Sequence, residues 1–173
     1  DYSIIFYIKD NIKYTKDYQI STNGSCWNII QTKDNEICYY EYKNDTICFY
    51  DLLERKVKSS ISNISNCNMI MMTKDLLLIT GLGEISIINV NNYKLRIINV
   101  PEAGCILGVC ILNQNMLLTG DYSKIIRQWR IEGDNLILIS KKEKAHDDDI
   151  INLLNFGNGH IASCSDDMTI KIW

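Results

Sequence analysis

Proline, glycine, arginine and histidine are scarce in this 173-residue chain, with one Pro, nine Gly, four Arg and two His. So little Pro and Gly excludes a collagen-like or low-complexity chain, and 46% hydrophobic with 23% charged residues is the balance of a folded globular protein. Only four of the 18 basic residues are the bidentate, phosphate-reading Arg, and the net charge is −3. No basic field therefore waits for nucleic acid or an anionic membrane. The longest apolar run, 105–112, falls far short of the ~20 residues of a membrane helix, and no secretory-leader pattern opens the sequence. Seven cysteines (Cys26, Cys38, Cys48, Cys67, Cys105, Cys110, Cys164) make no C-x-x-C pair, and most sit inside apolar runs. They read as small buried hydrophobes in a reducing, cytoplasmic setting. With His146 and His160 the only imidazoles, no zinc ligand set is expected, nor any other metal or cofactor.

What the sequence has is short runs of Ile, Val, Tyr and Thr: SIIFYI, NEICYYEY, TICFYD, LLLITG, EISIINV, KIIRQW, NLILIS, TIKIW. Asn, Asp, Gly or Lys residues bound each one, and no stretch sustains a helical i, i+3, i+4 spacing. This is the pattern of strands and turns, so the class is all-β.

The runs repeat. Aligning the residue that closes each strand of the form polar-Ile-polar-Ile-aromatic gives Tyr7, Tyr50, Ile88, Trp129 and Trp173, separated by 43, 38, 41 and 44 residues. Six residues upstream stand Asp1, Asn44, Leu82, Ser123 and Asp167, three of them turn-capping Asp or Asn. A strand ending near a small hydroxyl residue precedes three of the closing strands (LLLIT, MLLT, HIASCS), and another short strand follows four of them (YTKDYQI, RKVKSSI, YKLRIIN, NLILISK). Four strands in about forty residues is the unit of a β-propeller blade.

These units resemble the WD-repeat family of β-propellers. The fullest match is 145–173, with His146 in the loop entering the first strand, Ser163 in the second, and an ending D-x-T-I-x-I-W from Asp167 to Trp173. The unit before it keeps LLTGDYSKIIRQW but has Ser123 in the place of the Asp and Glu102 near that of the His. Tyr50-Asp51 stands where the name-giving Trp-Asp pair would be, and the unit around TGLGEISII is the most degenerate. The resemblance implies that His146, Ser163, Asp167 and Trp173 form a structural hydrogen-bond network. Their chemistry allows it: an acceptor-only carboxylate, a two-sided imidazole, a hydroxyl, and a donor-only indole.

The expected layout is about four repeats: 1–20 as the end of a preceding blade, complete blades at 25–62, 67–99 and 105–142, and an incomplete last blade at 149–173. Together with the seven-blade habit of the family, this layout favours a segment of a larger propeller over closure into four blades. Apolar faces and a sheet edge should then lie open at both ends.

Several local patterns read as structure rather than chemistry. His146, Ser163 and Asp167 are the residue types of a hydrolase triad, but no G-x-S-x-G elbow presents the serine. The run His146–Asp149 could hold a divalent cation and reads more simply as a solvated loop. GLGEIS (81–86) leads into a strand, without the helix N-terminus that phosphate requires. Turn and strand-entry positions place Lys43, Tyr122, Asp148 and Asp166 on a rim as candidate contacts for a protein or peptide partner. The function expected is a non-catalytic interaction scaffold; a propeller enzyme and a nucleic-acid platform, sited on the rim or in a central channel, are the alternatives.

Overall fold

A computed structural model describes residues 2–10, 13–66, 68–133 and 135–173. Asp1, the first turn position of the repeat, and Cys67, where the second complete unit was expected to start, lie outside the described residues. Among the described residues all regular structure is strand apart from two short 3-10 turns, Tyr42–Asn44 and Pro101–Ala103. Two compact units result, Asp1–Ile64 and Ser65–Trp173.

In the first unit β1 (Ser3–Asp10) and β2 (Lys13–Ser21) form a two-stranded sheet. Strands β3 (Cys26–Lys33), β4 (Glu36–Glu41), β5 (Thr46–Asp51) and β6 (Lys56–Ser62) form a four-stranded one. The second unit opens with β7 (Asn68–Met71), β8 (Leu76–Thr80), β9 (Glu84–Asn89) and β10 (Lys94–Asn99) in one sheet. Next come β11 (Ile106–Asn113), β12 (Met116–Asp121), β13 (Ile126–Glu132) and β14 (Asn135–Lys142). A three-stranded sheet of β15 (Ile150–Gly157), β16 (His160–Ser165) and β17 (Ile170–Ile172) ends the chain. Every sheet is an antiparallel meander in chain order, the construction of a propeller blade.

The repeat read from the sequence is a repeat in register. Tyr50 pairs with Ile37, Ile88 with Leu77 and Trp129 with Leu117, each time the second residue of the sheet's second strand. Trp173 exchanges backbone hydrogen bonds with Ile161, the second residue of β16, at 3.0 and 3.2 Å. Irregularities recur in phase too. The ladders β3–β4, β11–β12 and β15–β16 each shift twice, and β5–β6 and β13–β14 each shift just before the closing aromatic.

Packing explains why the middle strands are rich in apolar residues. Strands β4 and β5 are buried along their whole length. In the second unit Leu78, Ile85, Ile87, Ile106, Leu117 and Trp129 form one core across two sheets, and Cys110, Leu118, Ile126, Ile150 and Leu153 a second. Each fully buried Ile or Leu contributes roughly 1.5–3 kcal/mol. In the first unit Ile37, Tyr39, Cys48 and Tyr50 collect Ile4, Phe6, Tyr18 and Ile20 of the two-stranded sheet.

Gly120 sets the spacing at the second of these cores. A Cβ there would lie 2.5 Å from Ile150 Cγ2 and 3.1 Å from Ile150 Cβ. Gly120→Ala should push β12 and β15 apart and cost about 1–3 kcal/mol, measurable as a lower urea midpoint at an unchanged slope.

The cysteines divide. Cys38, Cys48 and Cys110 are buried free thiols, and desolvation pushes Cys48 and Cys110 up to about 11. Cys26 and Cys164 are half-buried and free. Cys105 departs from the expectation of small buried thiols throughout, since it is disulfide-bonded. Pairing depends on which Cα atoms the fold brings within bridging distance, and local sequence does not record that.

Candidate functional site

The structure brings His146, Ser163, Asp167 and Trp173 together in the last sheet. His146 precedes β15, Ser163 sits mid-strand in β16, Asp167 occupies the β16–β17 turn and Trp173 follows β17. His146 Nδ1 lies 2.8 Å from Asp167 Oδ2, and Nε2 lies 2.6 Å from Ser163 Oγ. Trp173 Nε1 donates to the same Ser163 Oγ at 2.9 Å. Because Asp167 only accepts, the imidazole proton resides on Nδ1, and Nε2 accepts from the serine hydroxyl.

Asp167 is the hub. Oδ2 accepts from the Asp147 N–H at 3.0 Å as well as from His146, and Oδ1 accepts from the Thr169 N–H at 2.9 Å and Thr169 Oγ1 at 2.6 Å. Burial raises the carboxyl's pKa, but bonds from Thr169, the Asp147 N–H and His146 outweigh it and hold the group well below the usual carboxylate range. The loop is fastened at further points. Ser165 Oγ donates to Asp148 O at 3.0 Å, Lys171 Nζ to Ala145 O at 2.8 Å, and Lys124 Nζ to Asp147 O at 2.6 Å. The run His146–Asp149 is thus an anchored strand entrance. Within it burial, then Asp148 and Asp166, raise the Asp149 pKa, while Lys124 lowers it.

An Asp–His–Ser relay is also the geometry of a hydrolytic triad, so access decides its use. Ser163 is 1% exposed and His146 1%. The Ser163 oxygen already receives the Trp173 indole, so it offers no free approach to a carbonyl carbon.

The preceding sheet solves the same problem with different residues. Trp129 Nε1 donates to Thr119 Oγ1 at 2.9 Å, the counterpart of Trp173 to Ser163. Glu102 and Ser123 stand as far before Trp129 as His146 and Asp167 stand before Trp173. Both converge on Arg127, opposite Thr119 in the ladder as Lys171 is opposite Ser163. Arg127 Nη1 donates to Asp121 Oδ2, and Nη2 lies 3.5 Å from Ser123 Oγ and 3.7 Å from Glu102 Oε1. The Ser123 N–H donates to Asp121 Oδ1 at 2.9 Å, and the Ser123 hydroxyl donates to the same oxygen. Arg127 is 1% exposed and Asp121 0%, a fully buried ion pair. Burial lowers the Arg127 pKa and Glu102 raises it.

Sequence reasoning placed Ser123 and Glu102 at the right positions of the repeat and missed Arg127 and Asp121. The available signal was a cation at the inward position of IIRQW, two residues before the tryptophan, with a carboxylate two residues before Ser123. Of the rim candidates Lys43, Tyr122, Asp148 and Asp166 are all exposed at turns, Tyr122 at 45%. Asp148 Oδ1 lies 3.7 Å from Lys124 Nζ. Lys43 adjoins Gly24, where a Cβ would come 2.7 Å from the Lys43 Cβ. The stretch GLGEIS enters β9, and its Gly81 lies against Ser65, whose carbonyl oxygen a Cβ would meet at 2.5 Å.

No protein-family model matches the sequence, and no curated protein matches it. Solved structures match it in fold. Kluyveromyces lactis Hsv2 superposes with a TM-score of 0.67 at 16% identity, over 98% of this chain and 54% of that one. A chain in the crystal structure of the mitotic checkpoint complex superposes with a TM-score of 0.74 at 10% identity, over 91% of this chain and 52% of that one. The class is therefore the β-propeller, all-β with blade sheets of three or four strands. The chain spans about half the length of those structures.

Proposed function

We propose that the chain is part of a WD-repeat propeller acting as a non-catalytic interaction platform for protein or peptide partners. The observation that carries this reading is the state of its most reactive-looking constellation. Ser163 is buried, capped by Trp173 and tied through His146 to Asp167, so these groups fasten loop to sheet. The candidate contacts Lys43, Tyr122, Asp148 and Asp166 stand exposed at turns, where several loops offer contacts to a partner at once. The likeness to a chain of a multi-protein checkpoint complex supports partners within a larger assembly.

The test is chemical cross-linking of the protein in its native extract, with Tyr122→Ala plus Asp166→Lys against Lys56→Ala as a surface control. Recovered partners should fall severalfold with the first variant and not with the second. Equal recovery, or a hydrolytic activity that vanishes with Ser163→Ala, would overturn the reading.

A further inference from the structure

Trp27 is 55% exposed and Tyr42 57%, yet their rings stack with centroids 5.1 Å apart and planes 15° from parallel. Ile29, also 55% exposed, follows on β3 beyond a bulge at Asn28, whose φ is +56°. Scattered apolar side chains at a surface need no explanation, but a stacked pair held by its own scaffold does.

The scaffold is tied by hydrogen bonds. Tyr42 N–H donates to Ser25 O at 3.0 Å, Asn23 N–H to Glu41 Oε1 at 3.3 Å, and Thr22 Oγ1 to Gly24 O at 2.9 Å. Gly24 fits against Lys43 only because it lacks a Cβ. The chain leaves the 3-10 turn through Asp45, with φ of 45° and ψ of 49°.

Charge is distributed unevenly around this pair. Of the carboxylates flanking Lys43, Glu41 is 5% exposed and holds the Asn23 N–H, while Asp45 is exposed and its Oδ1 accepts Tyr40 Oη at 2.6 Å. Lys43 is exposed, and its ammonium has no acceptor among the described residues. The uncommitted features are thus one cation and two aromatic faces already ordered. A partner gains most by packing an apolar side chain on the rings and giving the ammonium a carboxylate, with little ordering entropy left to lose.

We infer that Trp27, Tyr42 and Lys43 form an anchoring site for a short acidic–apolar peptide segment of a partner protein, one Leu or aromatic side chain resting on the ring pair and a neighbouring carboxylate on Lys43. This inference rests on the platform reading and specifies one of its contacts.

The experiment selects a displayed library of random twelve-residue peptides on the full chain, then measures the leading synthetic peptide by fluorescence anisotropy. Expected is a consensus pairing Asp or Glu with Leu, Phe or Trp, and an affinity lowered roughly tenfold or more by Trp27→Ala or Tyr42→Ala. Lys43→Glu should weaken binding and flatten its dependence on salt without moving the melting temperature, because the side chain is exposed. A basic or uncharged consensus, or an affinity unchanged by Lys43→Glu and Trp27→Ala, overturns the inference. In that case the platform reading still stands if Tyr122→Ala plus Asp166→Lys abolishes the binding, and it falls with the inference if no peptide binds the unsubstituted chain.

Discussion

Replacing Arg127 with Met should lower the unfolding free energy by about 3–5 kcal/mol, the largest loss expected from any single change in the second unit. The substitution nearly preserves volume, so the cost is electrostatic. It leaves the Asp121 carboxylate with no solvent exposure and only Ser123 as donor. For a chain of this size that is a fall in melting temperature of roughly 6–20 °C. Asp121→Leu alone should be comparably damaging, since it leaves the buried guanidinium with only Ser123 and the exposed Glu102 beside it. The double substitution is the decisive arm. Removing both charges abolishes two desolvation penalties together, so the pair should recover most of the loss and could exceed the parent. Strictly additive losses in the double variant would show that Arg127 acts through packing of its alkyl stem instead.

That ion pair also marks the limit of what the sequence displays. Strands announce themselves because a pleated, half-buried ribbon selects β-branched and aromatic residues. The repeat announces itself because each sheet must put a large side chain at one place, and Tyr50, Ile88 and Trp129 occupy it in three ladders. The fold was legible for those reasons. The Trp–hydroxyl bond of the last sheet was expected from the family resemblance, and the structure repeats the same separation between Thr119 and Trp129. Arg127 was not: a lone charged residue in a strand ordinarily faces water, and only the ladder partner Thr119 reveals that it faces inward. The Trp27–Tyr42 pair was hidden for a different reason. Its two rings come from separate strand ends, and a bulge at Asn28 together with the close approach of Gly24 to Lys43 brings them together. Tertiary contacts of that kind have no period. The disulfide at Cys105 belongs with them.

His146→Ala should cost roughly 1–3 kcal/mol, because it strands both the Ser163 hydroxyl and one lone pair of Asp167 in a buried place. Trp173→Phe removes a single donor and should cost about 1 kcal/mol. Asp167→Asn makes the sharper experiment, since its effect carries a pH signature. The folded carboxyl titrates well below its unfolded value of about 3.9, so the ionised form is favoured by folding. Its contribution is complete above the unfolded value and is lost as pH falls through the folded one. The stability difference between parent and Asp167→Asn should therefore be constant from about pH 7 to 5 and shrink steadily below about pH 4. Thermal melts of both proteins across that range give the comparison directly. A difference that persists undiminished to pH 2 would mean that the four donors around Asp167 recognise its shape and not its charge. A His146→Ala, Asp167→Asn double variant separates the two: if the residues act as one network, the pair should lose clearly less than the sum of the single losses.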